Sequence, residues 1–265
     1  RSHSPGGHPT DDVATYYRRR TEGGVGLIIT EGTTIDHPSA SMDDKIPDFH
    51  TPEALAGWKR VADEVHEAGG LIKPQLWHTG SMRREGTGLA PDARTVSPSG
   101  LKYPGKEIGV ALTKDDVSDI ADAFAKGTVA AREAGFDGVQ FHGAHGYLID
   151  TFFWEGTNVR DDEYGGVLEE RTAFAVEIIE KARREVGKDY PLIIRLSQWK
   201  QQDFEHKMAT DPDKLLAFLK PMVDAGIDCF DCSTRRFWEP ELEGSDLNFA
   251  GWTKKLTGLP TITVG

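Results

Sequence analysis

The feature that most constrains the fold is a regular alternation of short apolar runs and longer amphipathic segments along the 265 residues. Short apolar runs bounded by glycine or polar residues predict buried strands, whereas apolar residues spaced three and four apart predict helices. Six strands are predicted, near residues 26, 71, 138, 192, 229 and 261. Strands that are apolar throughout are typical of a parallel sheet covered on both faces, so the alternation predicts an α/β fold.

Signals at the helix ends support these boundaries. Thr113 and Asp116 have the spacing of a capping box ahead of a long amphipathic helix. Proline directly after Thr51 and after Asp211 predicts two further helix starts. Residues 81–109, in contrast, are rich in Pro and Gly and show no period, and long loops of this kind inside a compact domain are often functional.

Two α/β architectures fit the pattern, a doubly wound open sheet and a β/α barrel. Polar residues follow nearly every predicted strand, and in a barrel all these strand ends form one ring-shaped site. In an open sheet only the point where the strand order reverses would need them, and no G-x-G-x-x-G follows a strand. The sequence therefore favours a (β/α)8 TIM barrel, formed as a single domain by residues 1–265.

A barrel of this kind has eight strands, whereas six are predicted here. We expect these six to be strands 2 to 7, with one strand missing before Arg1 and another after Gly265. On this interpretation the domain is incomplete at both ends. The chain would then be a fragment, or one piece of a two-piece assembly.

Composition argues against two classes of partner. The chain has 31 Lys and Arg against 43 Asp and Glu, a net charge of −12, whereas nucleic-acid binding requires a basic face. No apolar run has membrane-spanning length and no signal-peptide pattern opens the sequence, so we expect a cytoplasmic protein without a membrane partner. Cys229 and Cys232 form a C-x-x-C, which without a second pair is a weak redox or metal signal. We interpret them as small apolar residues of a strand.

The stretch most indicative of chemistry is residues 138–166, called the signature stretch below. His142, His145 and Tyr147 directly follow the predicted strand 139–141 and are separated by glycines. Because glycine lets the backbone turn sharply and approach a ligand closely, several hydrogen-bond donors can converge on one small polar atom.

The residue types alone leave other interpretations open. A His-x-x-His pair also suits zinc or iron, with Glu31 or Asp150 as a third ligand. Tyr147 taken alone would more often be a packed core tyrosine, and Gln75 fits a ligand contact or a loop hydrogen bond equally well. Neither His78 nor Trp238 can be assigned a role.

Arg195 is harder to explain as a structural residue. It lies inside an apolar strand, where a buried charge is costly unless paired, so the sequence requires an anionic ligand or an acidic neighbour. A rigid loop brace held by ion pairs, rather than catalysis, is predicted for Arg160, Asp162, Glu163, Tyr164 and Glu169.

Several motifs occur together in one order. The most specific is Gln140-Phe141-His142-Gly143-Ala144-His145-Gly146-Tyr147-Leu148 followed by Asn158-Val159-Arg160-Asp161-Asp162-Glu163-Tyr164-Gly165-Gly166. Weaker ones are Ile28-Ile29-Thr30-Glu31-Gly32, Gln75-Leu76-Trp77-His78 and Arg195-Leu196-Ser197. In order and spacing these motifs resemble the old yellow enzyme family of FMN-dependent ene-reductases, and the resemblance covers essentially the whole chain.

The resemblance implies a β/α barrel with FMN lying across the mouth formed by the strand C-termini. Gly32 would then supply backbone contact near the flavin ring. Gln75 would hydrogen-bond the pyrimidine edge, since its amide both donates and accepts. Arg195 would sit near N1 and O2, where its fixed charge suits the negative charge of reduced flavin.

The same resemblance assigns the substrate side. His142 and His145 would donate to the carbonyl oxygen of an activated alkene, which makes the β-carbon electrophilic toward hydride from N5. Tyr147 would give a proton to the α-carbon on the opposite face, and Trp77 would wall the pocket. NADH or NADPH would reduce the flavin first and leave before the substrate enters.

We therefore expect an FMN-dependent NAD(P)H oxidoreductase that reduces the C=C bond of α,β-unsaturated carbonyls. The alternatives are a flavin-dependent dehydrogenase that oxidises an amine on the same barrel, and a non-catalytic fragment or binding module. The family's phosphate-binding segments would lie mostly beyond Gly265. Its iron–sulfur branch needs a cysteine cluster, and Cys229 and Cys232 are the two cysteines present. The physiological alkene, the choice of nicotinamide donor, and assembly as a homo-oligomer or with a complementing second fragment stay open.

Overall fold

Six parallel strands form the central sheet of the computed structural model, which describes residues 2–265. Four further strands, β3 to β6, are short and lie outside that sheet, within the segment 96–111. In chain order the strands are β1 Leu27–Thr34, β2 Leu71–Trp77, β3 Val96–Ser97, β4 Leu101–Tyr103, β5 Lys106–Glu107, β6 Val110–Ala111, β7 Val139–His145, β8 Leu192–Lys200, β9 Cys229–Ser233 and β10 Thr261–Val264.

The order of the central sheet is β1-β2-β7-β8-β9-β10, so each strand pairs with the next one along the chain and every pair is parallel. A doubly wound sheet reverses its strand order at a switch point, and this sheet does not. The order is that of consecutive β/α units of a barrel, as the polar strand ends predicted.

Seven α-helices connect the strands or cap the mouth. They are α1 Asp11–Glu22, α2 Pro52–Glu67, α3 Lys114–Glu133, α4 Leu148–Phe153, α5 Ala173–Val186, α6 Pro212–Asp224 and α7 Phe249–Thr257. Short 3-10 turns span Pro5–Gly7, Gly80–Met82 and Glu170–Thr172. The predicted capping box is confirmed, because Thr113 accepts from the backbone of Asp116 and the Asp116 carboxylate accepts from the backbone of Thr113.

The helices cover the outer face of the sheet and bury one continuous apolar core. On α3, Phe124 packs edge-to-face on Phe141 of β7 with ring centroids 6.1 Å apart, and both side chains are fully buried. Burial of this kind supplies most of the favourable free energy of folding. Because the strands are parallel, their C-terminal ends all lie along the same edge of the sheet.

Several boundaries differ from the sequence prediction. β7 continues to His145 and β8 to Lys200, so the two histidines lie within the end of a strand rather than after it. α4 was not predicted, because a short apolar segment such as Leu148–Phe153 does not distinguish helix from strand by periodicity. α5 begins at Ala173, directly after the 3-10 turn Glu170–Thr172.

Cys229 and Cys232 are both free thiols of β9. Burial raises the pKa of Cys229 to about 11 and that of Cys232 to about 12, which keeps both protonated at neutral pH. Within residues 2–265, none of the helices combines the length and apolar character needed to cross a bilayer.

Candidate active site

The C-terminal ends of four neighbouring strands bring polar side chains together. Gln75 comes from β2, His142 and His145 from β7, Arg195 from β8 and Ser233 from β9. We call these five residues the strand-end cluster. The sequence predicted four of its members from positions up to 120 residues apart along the chain, and parallel strand pairing is what places them side by side.

A line of polar side-chain contacts runs across four neighbouring strands and includes two members of this cluster. The Gln75 amide donates to Gln140 Oε1 at 2.6 Å, and the Gln140 amide donates to Asp231 Oδ2 at 2.8 Å. Asp231 Oδ2 in turn lies 3.5 Å from Arg195 Nη1. The acidic neighbour that the sequence required for Arg195 is therefore Asp231.

The charges in this line are only partly balanced. Burial raises the pKa of Asp231, and both Arg195 and the hydrogen bond from Gln140 oppose that shift. Arg195 Nε is buried and has no hydrogen-bond partner within residues 2–265, while Nη2 donates to Ser233 Oγ at 3.3 Å. A buried donor without a partner is costly, so this guanidinium fits an anionic or electron-rich ligand edge.

An aromatic group lies next to the cluster. The Trp77 ring meets Tyr147 edge-to-face at 4.8 Å between centroids and faces His142 at 6.2 Å with an angle of 29°. The His142 centroid lies 5.1 Å from Tyr147 and 5.2 Å from His145. His142 therefore contacts the rings of Trp77, His145 and Tyr147, and these four side chains form one connected group of ring contacts.

His145 is held from several directions. Its backbone N–H donates to Ser197 Oγ at 2.9 Å, its ring stacks on Trp199 at 4.5 Å, and its Nε2 lies 2.8 Å from Ser233 Oγ. Burial lowers the pKa of His145 to about 3, and the positive charges of Arg195 and Lys200 act in the same direction. The imidazole is therefore neutral at physiological pH and has one N–H to donate.

Gly32 has a packing reason to be glycine. A Cβ on Gly32 would lie 2.7 Å from the Trp77 ring, so the backbone of β1 can approach this ring only without a side chain. Gly32 is also paired in register with Gln75, which places its backbone at the same level of the sheet as the amide.

The metal interpretation of the two histidines gains no support. No group of three or more His, Cys, Asp or Glu side chains in the described part of the chain is arranged to hold a metal ion. Asp150 Oδ1, one suggested ligand atom, lies 2.6 Å from Lys200 Nζ.

A cleft of about 490 Å³ opens beside the cluster, between residues 198–207 and residues 233–241. Its wall includes Trp199, Phe204 and Ser233, and the Arg235 guanidinium lies 4.1 Å from the Phe204 ring centroid. Because Trp199 and Ser233 both contact His145, the cleft provides room for a small molecule next to this imidazole.

Sequence reasoning missed Gln140, Asp231, Ser233 and Trp199. Gln140 and Asp231 are polar residues in otherwise apolar strands. The same feature indicated a functional role for Arg195, so it could also have indicated these two residues. The two residues left without a role are now placed: His78 is buried with Nε2 2.9 Å from His37 Nδ1, and Trp238 is largely exposed.

Comparisons with known proteins identify the family of the chain. A family model described as the NADH:flavin oxidoreductase / NADH oxidase family matches residues 1–265. Putative 12-oxophytodienoate reductase-like protein 1 of Arabidopsis thaliana is 38% identical over 220 residues, which cover 81% of this chain and 66% of that protein. For 12-oxophytodienoate reductase 1 of Oryza sativa subsp. japonica, the identity is 38% and the match covers 83% of this chain and 58% of that protein. The chain thus spans less than two thirds of the length of these relatives.

Solved structures have the same fold. The old yellow enzyme homologue from Zymomonas mobilis superimposes with a TM-score of 0.84 at 28% identity, over 100% of this chain and 75% of that one. Morphinone reductase in complex with tetrahydroNAD superimposes with a TM-score of 0.77 at 26% identity, over 99% of this chain and 80% of that one.

Proposed function

The chain belongs to the NADH:flavin oxidoreductase / NADH oxidase family, and on that premise we propose that it reduces the C=C bond of α,β-unsaturated carbonyls with FMN as cofactor and NADH or NADPH as hydride donor. The observation that carries the proposal is the contact between His142, His145 and Tyr147 beside Arg195, at one end of a parallel sheet. We also propose that the six strands are strands 2 to 7 of an eight-stranded barrel, within a single domain.

Three residues would hold the cofactor. Arg195 offers a fixed positive charge and an unpartnered Nε–H, which suits the electron-rich N1 and O2 edge of a flavin. Gln75, oriented by Gln140, presents an amide that can pair with the pyrimidine edge, and Gly32, in register with Gln75, would contribute main-chain contact at the same level of the sheet. When bound, FMN supplies the hydride.

The two imidazoles would bind the carbonyl oxygen of the substrate. Each imidazole would donate one N–H, and two such donors draw electron density onto the oxygen and away from the β-carbon. Ser233 Oγ accepts from Arg195 and lies 2.8 Å from Nε2 of His145, and we propose that its own hydroxyl hydrogen is donated to that nitrogen. This arrangement favours the His145 tautomer with its hydrogen on Nδ1, which would leave Nδ1–H to donate to the substrate.

Tyr147 would complete the reaction by giving its phenolic proton to the α-carbon. The phenol lies 5.1 Å between centroids from His142, a separation at which one small molecule can contact both groups. Trp77 packs edge-to-face against the Tyr147 ring and fixes its plane. A positioned proton donor of this kind contributes a rate factor of about 10²–10⁴.

Two alternatives remain in view. A flavin dehydrogenase that oxidises an amine would use the same barrel, but two imidazoles and a phenol offer hydrogen-bond donors that suit a carbonyl acceptor better than an amine. A non-catalytic fragment or binding module would have no use for an imidazole pair beside an unpartnered guanidinium N–H.

The proposal is tested with anaerobic optical spectroscopy of the full-length, FMN-loaded protein. We expect NADH or NADPH to bleach the yellow colour, and 2-cyclohexenone to restore it. Cyclohexene is the matched control, because it has the same ring and alkene but no carbonyl oxygen for the imidazoles to hold.

Three results would count against the proposal. Bleaching by an amine but not by a nicotinamide would favour the dehydrogenase, and protein that does not bleach at all would favour the non-catalytic alternative. Equal recovery with cyclohexene and 2-cyclohexenone would remove the role given to His142 and His145.

A further inference from the structure

A buried ion pair lies directly behind the proposed substrate site and has no part in the reaction described above. Lys200 Nζ lies 2.6 Å from Asp150 Oδ1, and both side chains are 0% exposed. Taking two charges out of water is costly, and a buried pair often adds no net stability over apolar residues of the same size. Its presence at this position therefore calls for an explanation other than stability.

The second oxygen of the carboxylate points to that explanation. Asp150 Oδ2 accepts a hydrogen bond of 2.6 Å from the backbone N–H of Gly146. Gly146 is the residue between His145 and Tyr147, the second imidazole and the phenol of the proposed site. The carboxylate thus ties the end of β8, through Lys200, to the 145–147 turn.

This turn has an unusual backbone conformation. His145 has φ 66° and Gly146 has φ 78°, so two consecutive residues lie in the left-handed region. Among residues 2–265, Ser2 is the one other non-glycine residue with positive φ. An L-residue in this region is strained and keeps its conformation only when its surroundings enforce it.

Other contacts restrain the ends of the turn more than its centre. The His145 N–H donates to Ser197 Oγ at 2.9 Å, and the Tyr147 N–H reaches Ala144 O at 3.3 Å. The Gly146 carbonyl accepts a long contact of 3.4 Å from Gln202. The bond from Gly146 N–H to Asp150 is the shortest of these and comes from a fully buried group.

We propose that Asp150, paired with Lys200, is a positioning residue that holds the 145–147 turn through Gly146 N–H and thereby sets where His145 and Tyr147 meet the substrate. This inference rests on the proposed function. It assigns Lys200 the role of keeping the buried carboxylate charged, so that one oxygen serves the ammonium and the other serves the turn.

The electrostatics of the pair are consistent with that role. Burial raises the pKa of Asp150 and lowers the pKa of Lys200, and each group opposes the shift of the other. Lys200 is also paired in register with His145, and its charge helps to lower the pKa of that imidazole. The same ammonium therefore supports the turn and adds to the effect of burial on the pKa of His145.

Two double variants of the full-length, FMN-loaded protein isolate the Gly146 bond. Asp150→Asn/Lys200→Met and Asp150→Leu/Lys200→Met both remove the two charges and replace them with side chains of similar volume. An Asn amide oxygen can still accept from Gly146 N–H, whereas Leu cannot. Both variants lack the ion pair, so a difference between them reports the hydrogen bond from Gly146 N–H alone.

We expect the Leu variant to restore its colour with 2-cyclohexenone roughly 100-fold more slowly than wild type, since small misplacements of reacting groups cost about that much. It should also bind cyclohexanone, an unreactive carbonyl ligand, more weakly, as followed by the visible flavin spectrum. The Asn variant should recover most of both losses. Bleaching by NADH or NADPH should differ less between the two variants than recovery does, because flavin reduction does not need the proton that Tyr147 supplies.

Equal affinity for cyclohexanone in the two double variants would overturn the positioning role. The affinity comparison does not require turnover, so a wild-type protein that fails to react with 2-cyclohexenone counts against the proposed function and not against this inference. Should the Leu variant not fold, hydrogen exchange of the Gly146 amide in wild type decides. Strong protection supports the bond, and exchange at the rate of an exposed amide contradicts it.

Discussion

The two halves of the signature stretch contain similar residue types, but the side chains make different kinds of contact in each half. In the first half, His142, His145 and Tyr147 meet one another and Trp77 through ring contacts at the strand ends. In the second half, residues 158–164, the polar groups are bound to the protein itself. The two tyrosines show the contrast most simply. Tyr164 OH donates to Glu177 at 2.7 Å, whereas Tyr147 meets Trp77 and His142 through ring contacts.

The second half is a brace, as the sequence predicted for most of its members. Arg160 binds both carboxylate oxygens of Asp162, at 2.9 and 2.5 Å, and donates to the carbonyls of Pro98 and Leu112. The Asn158 amide donates to two further carbonyls at 2.7 Å. The brace thus fastens the segment after α4 to the long loop that carries β3 to β6. Glu169 lies beyond the signature stretch and was also predicted to join the brace, but it contacts Thr172 through its backbone carbonyl.

The contrast teaches which part of a specific motif is chemistry and which part is support. Groups whose hydrogen bonds are all made within the protein fix geometry and have little left to offer a ligand. Groups that meet mainly through ring faces and edges remain able to bind one. Both kinds can be equally specific in sequence, so specificity alone does not separate them.

Removing Arg160 should give the largest change in stability. Arg160→Met leaves Asp162 without its partner and two carbonyls without their donor, so we expect the free energy of unfolding to fall by about 3–5 kcal/mol. The measurement is denaturant unfolding of the flavin-loaded protein. Alkene reduction per folded molecule should hardly change, because the brace does not touch the substrate.

The matched control is Lys114→Ala, which removes the ion pair to Glu163 in the same segment. Both partners of this pair are more than half exposed, so stability should not change measurably. A stable Arg160→Met protein that had lost alkene reduction would reverse the assignment of the two halves.

A smaller effect is expected from the titration of His145. Its folded-state pKa of about 3 lies below the ordinary value of about 6.5, so on acidification the unfolded chain binds this proton first. The stabilisation is fully present above about pH 6.5 and is lost as the pH falls toward 3, with a slope of at most about 1.4 kcal/mol per pH unit.

Comparing wild type with His145→Gln isolates this contribution. The free energy of unfolding should fall less steeply in the variant between pH 6.5 and 4, because its amide does not titrate. Identical slopes would mean that the imidazole is not held neutral by its surroundings.

Much of this arrangement could be predicted from sequence because it depends on local patterns. Apolar runs gave the six strands, and Thr113 and Asp211 gave helix starts that the structure confirms through their side-chain caps. The need for an acid near Arg195 also followed from the cost of an unpaired buried charge.

What could not be predicted depends on which strands become neighbours. Asp231 forms an ion pair with Arg195 across the β8–β9 strand pair, and Lys200 forms one with Asp150, 50 residues earlier in the chain. No local pattern marks such partners. The left-handed conformation of His145 was equally hidden, since a non-glycine residue there is strained and its sequence gives no signal for it.

The most direct test of the account is the rate at which 2-cyclohexenone restores the colour of NAD(P)H-bleached Tyr147→Phe protein, measured anaerobically by stopped flow. The substitution removes one hydroxyl and keeps the ring that packs on Trp77. We predict recovery about 10²–10⁴-fold slower than wild type, with bleaching by NADH or NADPH nearly unchanged. Equal slowing of bleaching and recovery, or no slowing of either, would contradict the proposed role of the first half of the signature stretch.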